Sequence, residues 1–96
     1  MYTLEQIVET LRRHKPELQR RYPIADLGVF GSYARGDATS ESDIDVLVDF
    51  NGKIGLDFIQ LAFDLEDVLQ TKVDLVSKKA IQPKYWPYVE KDLIHV

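Results

Sequence analysis

Three carboxylates and a glycine-serine pair carry the chemistry of this chain. Asp43 and Asp45 alternate in Ser42-Asp43-Ile44-Asp45, and Asp74 lies within the apolar run Val73-Asp74-Leu75-Val76. Gly31-Ser32 precedes the paired acids by about ten residues. In a strand, residues i and i+2 share a face, with Cα atoms roughly 6.5–7 Å apart. Two-metal sites hold their ions about 3.5–4 Å apart, so two such carboxylates can converge on an ion pair. A third acid on a neighbouring strand, about 4.8 Å away, would complete one metal site. Magnesium takes oxygen ligands and lets nucleotide phosphates complete its shell. Phosphoryl or nucleotidyl transfer is the foremost chemistry that needs these parts.

The acids have a blander reading, as surface residues on a half-exposed strand. Asp is depleted in strands, and two acids in alternation repel each other, which favours function over decoration. The segment is not a calcium loop, because apolar residues alternate with the acids and the turn glycine is missing. Asp37, Glu41 and Asp49 read as solvated loop or strand-end residues.

Gly31 falls where a strand must turn sharply into a helical segment. Glycine adopts backbone angles closed to other residues and lets a phosphate approach the main chain. The backbone N–H groups after it can receive an anion, and Ser32 adds a hydroxyl. Arg35, about one turn on, could reach the same phosphates. Neither a Walker A loop nor GxGxxG is present. Alone, Gly-Ser reads as a plain helix cap, and its place just upstream of the acidic strand gives it weight.

The elements that must position these groups are legible in outline. Thr3-x-x-Gln6 is a capping box, followed by an apolar stripe of Leu4, Ile7, Val8 and Leu11. Pro16 is expected to bend or end that helix, with Glu17–Arg21 continuing it for a turn. Ile24–Phe30 reads as a strand, Ser32–Arg35 as a helical turn and Gly36–Ser42 as loop. Asp43–Phe50 is the clearest strand, with Ile44, Val46, Val48 and Phe50 on one face and Asp43, Asp45, Leu47 and Asp49 on the other. Leu56–Leu69 is an amphipathic helix with a stripe of Phe58, Leu61, Ala62, Leu65, Val68 and Leu69. Lys72–Val76 is a short strand with Asp74 opposite Val73 and Leu75. A short helix within Pro83–Lys91 and a strand at Leu93–Val96 close the chain. The order αβαβαβ, with one added strand, predicts an α+β fold: a mixed sheet flanked by helices.

Ninety-six residues are enough for one small domain and one core. No apolar run reaches the roughly 20 residues of a membrane span, and the N-terminus lacks a signal peptide's pattern, so a cytoplasmic protein without membrane contact is expected. The absence of cysteine excludes disulfides and thiolate chemistry. A net charge of -4 argues against direct nucleic-acid binding. Basic residues cluster at Arg12, Arg13, His14, Lys15, Arg20 and Arg21, and again at Lys78, Lys79, Lys84 and Lys91, and read as solvated faces. Tyr85, Trp86 and Tyr88 are either an interface cluster or core. His14 and His95 receive no role.

Gly31-Ser32-Tyr33-Ala34-Arg35-Gly36 followed by Ser42-Asp43-Ile44-Asp45 resembles the signature of the DNA polymerase β-like nucleotidyltransferase superfamily. The form GSxARG…SDxD on so short a chain is similar to its minimal nucleotidyltransferase (MNT) branch, antitoxins paired with HEPN ribonuclease toxins. The resemblance covers Ile24 to Val76. It implies Mg²⁺-dependent transfer of AMP from ATP, with two ions, onto a tyrosine hydroxyl of a cognate HEPN toxin, and a hetero-oligomer with that toxin. By position it implies Asp43, Asp45 and Asp74 as catalytic metal ligands, and Gly31, Ser32 and Arg35 as nucleotide-binding residues. The alternatives are an antitoxin that blocks its toxin sterically and a small-molecule transferase of the aminoglycoside type. The shortness of the chain, with no second domain to form a pocket, favours a protein acceptor.

Overall fold

The computed structural model describes residues 2–96. Helix α1 spans Leu4–Arg21 and opens on the expected capping box. The Gln6 amide donates to Thr3 Oγ1 at 3.1 Å and the Thr3 amide to Gln6 Oε1 at 2.9 Å. Pro16 lies inside the helix without ending it. Its ring sits on the exposed side, while Ile7, Leu11 and Leu18 on the buried stripe anchor the helix on both sides of it. Tertiary burial therefore outweighs the hydrogen bond that proline forfeits.

Strand β1 (Ile24–Phe30) runs into a five-residue helix α2 (Gly31–Arg35), followed by β2 (Ile44–Phe50), α3 (Asp57–Leu69) and β3 (Val73–Ser77). A 3-10 turn at Lys78–Ala80, a short helix α4 (Trp86–Glu90) and strand β4 (Ile94–His95) complete the chain. The sheet order is β3-β2-β1-β4. Strand β1 pairs antiparallel with both β2 and β4, whereas β2 and β3 are parallel. A parallel pair needs a crossover connection, and α3 supplies it.

The alternation read from β2 sorts the two faces of the sheet. Ile44, Val46, Val48 and Phe50 join Leu27, Val29, Leu61, Leu65 and Leu69 in one buried cluster beneath α1 and α3, with Val73 and Leu75 at its margin. Leu47, 4% exposed, stands outside that cluster. It lies on the acid-bearing face, in register with Gly28. A Cβ at Gly28 would meet Leu93 Cδ1 at 2.6 Å, so the C-terminal segment packs over that face. The far end of β1 is fastened where Tyr22 donates its hydroxyl to Asp64 on α3. Asp64 also takes Arg21 at 2.9 Å and the Gln60 amide at 3.0 Å. Burial first, and then that hydrogen bond, push the Tyr22 phenol up to about 12.

Candidate active site

The register of three strands brings the separated motifs together. Phe30 at the end of β1 is opposite Asp45 on β2, and Asp45 is opposite Asp74 on β3. Gly31, the residue after Phe30, has φ +75° and begins α2. A Cβ there would meet Asp45 Oδ2 at 2.0 Å. Glycine is thus required twice, for its backbone angle and for the approach of the carboxylate. Helix α2 closes at Gly36, φ +88°, with the Gly36 and Asp37 amides donating to the Ser32 carbonyl at 2.9 and 3.0 Å. Tyr33 is buried in the core and anchors this turn.

Asp45 is half-buried, whereas Asp43 and Asp74 are exposed. Burial, then the charges of Asp74 and Asp43, push the Asp45 carboxyl up from 3.8 to about 6, against an opposing pull from Arg35. Asp45 and Asp74 are register partners on adjacent strands, so their charges repel across the ladder. Among the described residues, no three Asp, Glu, His or Cys side chains are already gathered to ligating geometry. The donor set itself suits a hard divalent cation. It consists solely of carboxylates, of which Asp45 and Asp74 stand opposite each other in register.

Arg35 lies within electrostatic reach of Asp45, but its guanidinium is already engaged. Nε donates to Asp37 and Nη1 to Asp92, each at 3.2 Å. Asp92 was not singled out from the sequence. It follows a short helix 57 residues further on, and only the fold brings it to α2. Tyr85 and Tyr88 are 54% and 71% exposed, so these two belong to the surface and not to the core. Trp86 is half-buried, with its Nε1 donating to Glu90 at 3.1 Å. His95, given no role above, pairs with Asp26 at 2.8 Å. In the first basic cluster, Arg12 and Lys15 donate to the carbonyls of His95 and Val96, and Arg20 pairs with Glu17.

A cleft of about 440 Å³ opens beside Tyr2, Gln6, Tyr33, Ser40, Gln70 and Thr71. Small-molecule sites begin near 300 Å³, so the shortness of the chain does not by itself exclude a small acceptor.

The glycine turn faces Asp45 on β2, Asp74 lies beside Asp45 on β3, and Asp43, expected within the strand, falls one residue before β2 begins. The chain belongs to the nucleotidyltransferase domain family. The nucleotidyltransferase domain model matches residues 11–95. The protein adenylyltransferase MntA of Thermococcus cleftensis is 42% identical over 97 residues, which span 100% of this chain and 98% of the relative. A solved structure described as a minimal nucleotidyltransferase superposes with TM-score 0.81 at 34% identity, covering 99% of this chain and 97% of the other. The same fold occurs in a complex of a tri-AMPylated Shewanella oneidensis HEPN toxin with its MNT antitoxin, at TM-score 0.60 and 22% identity. That match covers 96% of this chain and 66% of the other. The small α+β architecture expected from the sequence is therefore the architecture of the family.

Proposed function

We propose that this chain is a Mg²⁺-dependent protein adenylyltransferase that moves AMP from ATP to a tyrosine hydroxyl of a cognate HEPN toxin, and so acts as its antitoxin in a hetero-oligomer. The observation that carries the reading is the row Phe30–Asp45–Asp74 across three strands, with Gly31 at the turn after Phe30 leaving room for the Asp45 carboxylate. The full-length likeness to an MntA protein adenylyltransferase supports a protein acceptor, and the shared fold with an MNT antitoxin bound to an AMPylated HEPN toxin supports the class of partner.

In this reading the Gly31 and Ser32 amides and the Ser32 hydroxyl hold the triphosphate. Arg35 faces the β- and γ-phosphates, exchanging part of its pairing with Asp37 and Asp92. Asp43, Asp45 and Asp74 would hold divalent magnesium, which when bound would offset triphosphate charge and make the acceptor hydroxyl more acidic. The acceptor oxygen forms a bond to the α-phosphorus of ATP. The α–β bridging P–O bond breaks, and pyrophosphate leaves with that electron pair. Asp74, exposed on the acceptor side of the row, takes the hydroxyl proton. No covalent enzyme intermediate is needed, and positioning with electrostatic complementarity carries the rate.

Asp74→Asn tests the reading. The variant should still capture the co-expressed toxin but leave its intact mass unchanged, and growth rescue should fail. Rescue without a mass shift would replace the enzyme with a steric antitoxin.

A further inference from the structure

We infer that the outer edge of β3 is the docking strand for the acceptor: an extended, acid-flanked segment of the partner pairs along Asp74–Ser77 and sets an apolar side chain into the groove beyond it. The inference rests on the adenylyltransferase reading above and names how the acceptor is held. Strand β3 ends the sheet, and among the described residues its only pairing is with β2. At its start the Val73 N–H donates to Glu66 Oε2 at 3.1 Å, and beyond it the edge presents N–H and C=O groups that a further strand can take. The site already steps across the sheet from Phe30, next to the Gly31 turn, to Asp45 and then to Asp74. In a strand added to β3, the residue in register with Asp74 shares its face and lies about 4.8 Å further along. An acceptor tyrosine at that position continues the row.

Two features choose the occupant. The edge leads directly into a groove of about 270 Å³ lined by Lys78, Ile81, Pro83 and Trp86. Lys78 is four residues beyond Asp74, or about 13 Å at strand rise, so the anchor falls about four residues from the tyrosine. The charge is also local. In a chain of net charge -4, residues 72–91 carry Lys72, Lys78, Lys79, Lys84 and Lys91 against only Asp74 and Glu90, although Lys79 is turned onto the Phe50 carbonyl at 3.0 Å. Lys78 and Lys84 lie over the Trp86 and Tyr85 rings, at 5.0 and 5.1 Å from the centroids. Such a rim attracts an acidic segment and repels a second copy of the same edge.

The probe is a synthetic peptide, acetyl-Glu-Glu-Tyr-Thr-Val-Thr-Phe-Glu-Glu-amide, incubated with the full chain, Mg²⁺ and labelled ATP. AMP should appear on its tyrosine. Replacing the flanking Glu residues with Lys should lower kcat/KM about tenfold or more, and Lys78→Glu should reverse that preference. N-methylation of one alternate set of peptide amides should lower kcat/KM about thirtyfold, as two ladder hydrogen bonds are lost. Methylation of the other set should change it less than threefold. Trp86→Ala should raise the peptide KM and leave ATP affinity unchanged. Equal effects of the two methylation patterns, or indifference to flanking charge, would overturn the proposal. So would an unmodified peptide when the same protein binds Mg-ATP and modifies co-expressed toxin. Loss of both those activities would instead remove the adenylyltransferase reading, and the docking proposal with it. A dimer in solution that Trp86→Ala disperses would assign the edge to a second copy and overturn it too.

Discussion

Gly31→Ala should cost much more activity than stability, and the geometry supplies its own control. The new methyl carbon would sit 2.0 Å from Asp45 Oδ2, whereas contacts under 3.0 Å force something to shift. The carboxylate must therefore retreat by about 1 Å. The left-handed backbone, φ +75°, adds about 1–2 kcal/mol for a residue with a Cβ. Moving the carboxylate off its rotamer adds about 0.5–1.5 kcal/mol. A total of about 1.5–3.5 kcal/mol lies within the roughly 5–14 kcal/mol available to a domain of this size, so the variant should fold. A misplacement of about 1 Å costs on the order of 10²-fold in rate. Gly36→Ala shares the backbone penalty, at φ +88°, but its Cβ meets nothing within 4 Å. Urea melts of both variants, beside labelled-AMP transfer to the co-expressed toxin, separate the two effects. Both should lose about 1–2 kcal/mol from the backbone, and only Gly31→Ala should lose most of its transfer. Retention of wild-type transfer by Gly31→Ala, or an equal loss in Gly36→Ala, would refute the argument that glycine makes room for Asp45.

Three further outcomes are expected. Asp43→Asn with Asp45→Asn should lower transfer by about 10³-fold or more in a labelled-ATP assay, with a melting temperature unchanged or higher because repelling charges are gone. The Asp45 carboxyl, pushed up from 3.8 to about 6, keeps its proton in the folded state at pH values where the unfolded chain has lost it. Its contribution therefore favours folding below the unfolded value and is lost as pH rises through about 6. The stability advantage of Asp45→Asn over wild type, measured without divalent cations, should accordingly grow between about pH 4 and pH 7, and a flat difference would contradict this. Tyr22→Phe removes the hydroxyl that donates to Asp64 and should cost about 1–2 kcal/mol in urea unfolding. Transfer should be unaffected, because Tyr22 lies at the opposite end of β1 from Gly31.

Local pattern alone determined the parts. The capping box placed the start of α1, alternation in Ile44–Phe50 assigned the core and acid faces, and the punctuation at Gly31 and Gly36 bounded α2. The motif residues were legible because chemistry demands particular side chains at strand spacing, which is a short-range constraint. Only tertiary structure decided that α1 continues through Pro16, since burial of Leu18 and Tyr22 outweighs a lost hydrogen bond. The same holds for Asp92 beside Arg35, which meet across 57 residues because β4 pairs with β1. Exposure of Tyr85 and Tyr88 was open in the sequence, as an aromatic serves core and surface alike until its neighbours are known. The placement of Asp74 beside Asp45 belongs to both levels: period-two alternation aimed each acid, and the parallel register of β2 and β3, a long-range pairing that no local pattern encodes, put them side by side.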